Sequence, residues 1–88
     1  MSGVKIGKGA VVKDSVIMED TVIGEDSSVF YSMIDGGVAI GKNCVVGKER
    51  ADGVGITVIA KNISLDDGTT VPDGAMADGR YFAELANK

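Results

Sequence analysis

Eighty-eight residues hold one domain with little apolar area to bury, so a compact two-layer fold of this size would be marginal on its own. A net charge of −4 with no basic run argues against a nucleic-acid partner, and the apolar stretches are too short to span a bilayer. With 13 Gly, one Pro, 5% aromatics and an apolar share dominated by Val and Ile, the composition describes many short strands joined by tight corners. The single cysteine, Cys44, excludes an internal disulfide framework and fits a reducing cytoplasm. No charged-then-apolar signal segment is expected at the start.

In chain order, Ile-Gly recurs at Ile6-Gly7, Ile23-Gly24 and Ile40-Gly41, each pair 17 residues after the last. At that offset the large aliphatics align as Ile6, Val12, Ile17, then Ile23, Val29, Ile34, then Ile40, Val46. A helix would place them 3 or 4 apart and a lone amphipathic strand 2 apart; a spacing of 6, 5, 6 fits neither. Four residues after each aliphatic stands a second inward candidate: Ala10, Val16, Thr21, Ser27, Met33, Val38 and Cys44. Gly7, Gly24, Gly41 and Gly47 follow aliphatics and mark tight bends. The period breaks over residues 47–55, a polar loop, and resumes at Ile59, Leu65 and Val71 with Ile63, Thr69 and Ala75 beside them.

Three hexapeptides make one triangular coil, so each 17-residue unit is one turn of a solenoid with one shortened side. The expected fold is all-β, a single-stranded parallel β-helix, with coils stacked about 4.8 Å apart. Residues 1–76 form the solenoid and 77–88 a tail that contains a short helix at Arg80 to Ala86. Gly3 already lies inside the repeat behind only Met1-Ser2, with no cap in front, so the isolated chain is expected to stack or oligomerise.

Hexapeptide solenoids serve several chemistries, and the missing histidine closes two of them. Acyl transfer with a His general base and zinc held by three His both need an imidazole. Cys44 takes a small inward position and reads as a buried structural thiol rather than a nucleophile. The acidic pairs Glu19-Asp20, Glu25-Asp26 and Asp66-Asp67 lie in turns without a matching ligand set and read as solvated surface. Basic residues at the loop, Lys48 and Arg50, and Lys61 after it, are candidates for a phosphate-bearing effector; the plainer reading is ordinary surface charge.

The run from Ile6 to Met18 (IGKGAVVKDSVIM), followed by Asp20 to Gly24, resembles the start of the carboxy-terminal β-helix of bacterial ADP-glucose pyrophosphorylase (glucose-1-phosphate adenylyltransferase). The likeness continues through Met33-Ile34-Asp35, Ile40 to Asn43, Gly55 to Ile59, Lys61-Asn62, Asp67-Gly68 and Val71-Pro72. It implies a left-handed solenoid, although parallel crossovers are usually right-handed.

It further implies a regulatory and oligomerisation domain of an enzyme that makes ADP-glucose and pyrophosphate from ATP and glucose 1-phosphate for glycogen. The partners implied are an amino-terminal catalytic domain, which would bind Mg2+ and ATP, and further copies in a tetramer. The family's Gly-rich nucleotide loop and metal-binding Asp have no counterpart here, so this chain carries no catalytic residues or cofactor. Lys61 matches a Lys in the late β-helix of some relatives that is associated there with effector binding. A stand-alone protein-binding solenoid, or the same domain of a non-catalytic paralogue, are the alternatives.

Overall fold

A computed structural model describes residues 3–86, so Met1-Ser2 and Asn87-Lys88, the outer ends of the expected solenoid and tail, lie outside the described residues. Four coils follow one another. The first holds β1 (Lys5–Ile6), β2 (Val11–Lys13) and β3 (Val16–Ile17), and the second β4 (Val22–Ile23), β5 (Ser28–Phe30) and β6 (Ser32–Ile34). The third holds β7 (Ala39–Ile40), β8 (Val45–Gly47) and β9 (Thr57–Ile59), and the fourth β10 (Ser64–Leu65), β11 (Thr70–Val71) and β12 (Met76–Ala77). Every third strand pairs in parallel, giving sheet A (β1-β4-β7-β10), sheet B (β2-β5-β8-β11) and sheet C (β3-β6-β9-β12). The architecture is a left-handed parallel β-helix.

The aliphatics of the 17-residue register point inward and stack in columns. Ile6, Ile23, Ile40 and Leu65 share sheet A, and Ile17, Ile34, Ile59 and Ala77 share sheet C. Ile23, Val29, Ile34, Val46, Ile59 and Val71 are fully buried. Each coil therefore covers its neighbour's apolar face, which a lone coil could not do for itself.

The second inward position is not where the spacing of four placed it on every side. Val16 and Met33 are 54% and 49% exposed and point outward. Their sides are the short ones, five residues from Val12 to Ile17 and from Val29 to Ile34, so counting forward by four overshoots the corner. Counting back by two from the next aliphatic keeps both residues on one strand face. That rule assigns Ser15 and Ser32 on those sides and Thr21, Ser27, Val38, Cys44 and Thr57 elsewhere, all buried but the half-buried Ser15. Toward the two ends of the solenoid it assigns Val4, Ala10, Ile63, Thr69 and Ala75, each half-buried.

The hydroxyls among these residues are all satisfied, as burial demands. Ser15 and Ser32 donate within their own coil, to Lys13 O at 2.8 Å and Phe30 O at 2.7 Å, and Thr21, Ser27 and Thr57 donate across coils. Thr21 Oγ1 donates to Asp35 O at 2.8 Å, Ser27 Oγ to Gly41 O at 2.6 Å and Thr57 Oγ1 to Pro72 O at 3.0 Å. Ser27 Oγ also accepts from Cys44 N at 3.0 Å.

The bends lie elsewhere than at Gly7, Gly24 and Gly41, none of which has a positive φ. The left-handed backbone falls three residues before every inward aliphatic except Ile59: Gly3, Gly9, Asp14, Asp20, Asp26, Tyr31, Gly37, Asn43, Asn62, Gly68 and Gly74. Gly47, where a bend was expected, and Gly53 also have positive φ, at the start of the loop and within it. Gly, Asp and Asn tolerate that conformation; Tyr31 does so at a cost. Gly24 has a different duty. A Cβ there would lie 2.6 Å from the carbonyl carbon of Gly41, so its missing side chain lets the coils approach.

The two ends differ. Helix α1 (Gly79–Ala86) folds over the last coil, and Tyr81 and Phe82 pack against the core with ring centroids 5.1 Å apart. Asp78 caps this helix, its Oδ1 accepting from Tyr81 N at 2.8 Å. At the other end Ile6 is 49% exposed, with Val4, Ala10 and Val12 only partly buried.

Candidate functional site

The corner where sheet C passes to sheet A carries a cleft of about 350 Å³ lined by three coils. Met18, Glu19 and Asp20 form its first wall, Asp35, Gly36 and Gly37 its floor, and Lys61 and Asn62 its far wall. The notch exists because the middle coil has Gly36-Gly37 where the first has Glu19-Asp20 and the third Lys61-Asn62, which removes one layer of side chains. The backbone stays continuous across it, with Gly37 N donating to Glu19 O and Asn62 N to Gly36 O, both at 3.0 Å. Asp35 Oδ1 accepts from Gly36 N at 2.7 Å and so folds back on its own turn.

Three carboxylates (Glu19, Asp20, Asp35) and one ammonium (Lys61) line this cleft. The balance favours a cationic or hydroxyl-rich occupant over an anion, because a phosphate beside Lys61 also meets three negative charges. Lys61 takes part in no ion pair among the described residues.

Lys48 and Arg50 stand elsewhere. They lie exposed in the loop that follows β8, at the corner between sheets B and C. Strand β9 separates that corner from Lys61, and neither residue lines the cleft. The structure therefore does not gather Lys61, Arg50 and Lys48 into one site. In the same loop Glu49 pairs with Lys13 at 3.7 Å.

Cys44 is fully buried, its Sγ 3.2 Å from Asp66 O. No group of His, Cys, Asp or Glu that could hold a metal occurs among the described residues, and no helix there is long and apolar enough to cross a membrane.

In the sequence Glu19-Asp20 has the look of bare solvated surface, and Gly36-Gly37 carries no signal of its own. Their shared place in the coil, 17 residues apart, was the available signal.

Comparison with known proteins agrees with this architecture. Over 91 aligned residues the chain is 31% identical to a glucose-1-phosphate adenylyltransferase of Acetivibrio thermocellus, covering 93% of this chain and 21% of that enzyme. Over 76 residues it is 26% identical to a glucose-1-phosphate adenylyltransferase of Desulfitobacterium hafniense, covering 83% of this chain and 19% of that enzyme. The chain thus spans about a fifth of the length of these relatives. A family described as the GMPPB C-terminal domain matches residues 1–78, the whole solenoid, and the chain belongs to that family.

Proposed function

We propose that these residues are the carboxy-terminal β-helix of a cytoplasmic glucose-1-phosphate adenylyltransferase, which joins ATP and glucose 1-phosphate into ADP-glucose and pyrophosphate for glycogen synthesis. The observation that carries this reading is the match to the Acetivibrio thermocellus enzyme over 93% of this chain. Nucleotidyl transfer, with its Mg2+ and ATP, belongs on this reading to an amino-terminal catalytic domain. The solenoid serves assembly, including self-association, and the response to effectors. Its construction suits that work: a ladder-bonded prism with satisfied buried hydroxyls holds its corners and faces at fixed positions.

The test is the native size of the polypeptide, read by immunoblot of a source-cell lysate, followed by an ADP-glucose synthesis assay on the immunopurified protein. A band roughly five times the size of this chain, with activity, is the expected result; a band of this chain's own size overturns it. Effector response within that enzyme is assigned first to Lys61, for an effector whose hydroxyls meet the cleft's carboxylates. Lys48 and Arg50, at the neighbouring corner, are the remaining candidates for a phosphate group. In the longer enzyme, Lys61→Ala should lose its response to activator at unchanged basal activity. An unchanged response would remove Lys61 from that role.

A further inference from the structure

Sheet C carries on its outside an apolar column with no charged member. Val16 is in register with Met33, Met33 with Val58 and Val58 with Met76. Met76 is 57% exposed, as open as Val16 and Met33, while Val58 is half-buried, and exposed Met18 and Ile56 extend the surface to either side. The matching column on sheet A is Lys5, Val22, Ala39, Ser64, and on sheet B Val11, Ser28, Val45, Thr70; charge or hydroxyl groups interrupt both.

Tyr31 borders the sheet C column. Its φ of 46° is a strained choice for a bulky side chain, and the other ten left-handed corner positions hold only Gly, Asp or Asn. An aromatic kept there against its local preference points to a use outside the fold.

We infer that the outer face of sheet C binds a second copy of this chain, face to face about a two-fold axis parallel to the strands. Shape and charge both select this occupant. A two-fold of that orientation reverses the coil order, so Val16 of one copy meets Met76 of the other and Met33 meets Val58. Each long flexible side chain then opposes a short branched one, which lets the two layers interdigitate. With coil order preserved, Met33 would sit on Met33 and valine on valine. The same reversal sets the second-coil corner against the third-coil corner, which brings Asp35 of each copy beside Lys61 of the other.

Strands about 4.8 Å apart and a side of five or six residues at about 3.3 Å each make a face of roughly 20 by 20 Å. Two such faces bury on the order of 1,000 Å², the lower bound for a specific contact, so the dimer is reversible. This assignment rests on the assembly role proposed above and not on nucleotidyl transfer.

Sedimentation equilibrium of the 88-residue chain, from micromolar to millimolar concentration, tests it. The expected result is a concentration-dependent dimer, weakened by roughly tenfold or more in Met33→Lys and in Val58→Lys. Val22→Lys, an equally exposed change on sheet A, should leave the dimer intact. Because position 33 meets position 58 across the axis, mixing Met33→Glu with Val58→Lys should restore a heterodimer. A chain monomeric to millimolar concentration, a dimer that survives Met33→Lys, or a mixture that stays monomeric would each overturn the assignment. None of these outcomes bears on the ADP-glucose assay, so the two readings fail separately.

Discussion

Replacing Gly24 with alanine tests whether coil spacing or backbone conformation is the scarcer resource in this solenoid. Gly24 has no positive φ, so alanine is locally allowed there. The added methyl would nonetheless lie 2.6 Å from the Gly41 carbonyl carbon and 2.9 Å from Ile40 O, both backbone atoms of the next coil. Relief requires the coils to part by most of an ångström at that corner, which weakens the ladder bonds from Gly24 N to Ile40 O (2.8 Å) and from Val22 N to Val38 O (2.8 Å). Overpacking costs about 1–3 kcal/mol, and the two weakened bonds add about 1 kcal/mol each, so the expected loss is about 3–5 kcal/mol.

Gly68 is the counterpart: its φ is +77°, and a Cβ would meet nothing within 4 Å. Gly68→Ala should therefore cost only the left-handed penalty of about 1–2 kcal/mol, and Gly68→Asn less. Urea unfolding followed by far-ultraviolet circular dichroism gives both numbers from the midpoint at constant slope. A loss at Gly68→Ala equal to or above that at Gly24→Ala would refute the reasoning.

Thr57→Val keeps the shape of a buried residue but removes the donor to Pro72 O, and should lower stability by about 1 kcal/mol in the same urea titration. Asp78→Ala removes the cap of α1 and should cost about 1 kcal/mol, with faster amide exchange at Tyr81 reporting the loss locally. Tyr31→Asn relieves a strained corner and should stabilise the fold by about 1 kcal/mol; a lower melting temperature would count against that account. The Cys44 thiol, fully buried, should react with an aromatic disulfide reagent only as fast as the chain unfolds, and immediate labelling of the native chain would contradict its placement.

Much of the fold was legible because its strongest signal is also its largest energy. The inward aliphatics from Ile6 to Val71 all take the places their spacing gave them, and the break after Val46 marks the loop. The second inward position was legible only on the six-residue sides. At Val16 and Met33 the short side changes the count, and residue type gives no warning, since Val and Met suit a core as well as a surface. The corner rule was hidden because Gly, Asp and Asn share one backbone tolerance while looking unlike one another in composition. Asp20, Asn43 and Gly68 do the same job. The cleft at Lys61 was half legible: the lysine stood out, but the carboxylates that offset it come from coils 26 to 42 residues earlier (61 − 35 and 61 − 19).

The loop between β8 and β9 shows how loosely position in this molecule depends on chain length. From Val29 to Ile34 the chain turns the corner in five residues, and from Val46 to Ile59 it takes 13, a detour of eight (13 − 5). Ile59 still lands in register on Ile34, and Ser32 on Thr57. Each corner therefore works like a shelf bracket: peptide of another length or purpose can be hung from it, and the lattice of strands behind it does not move.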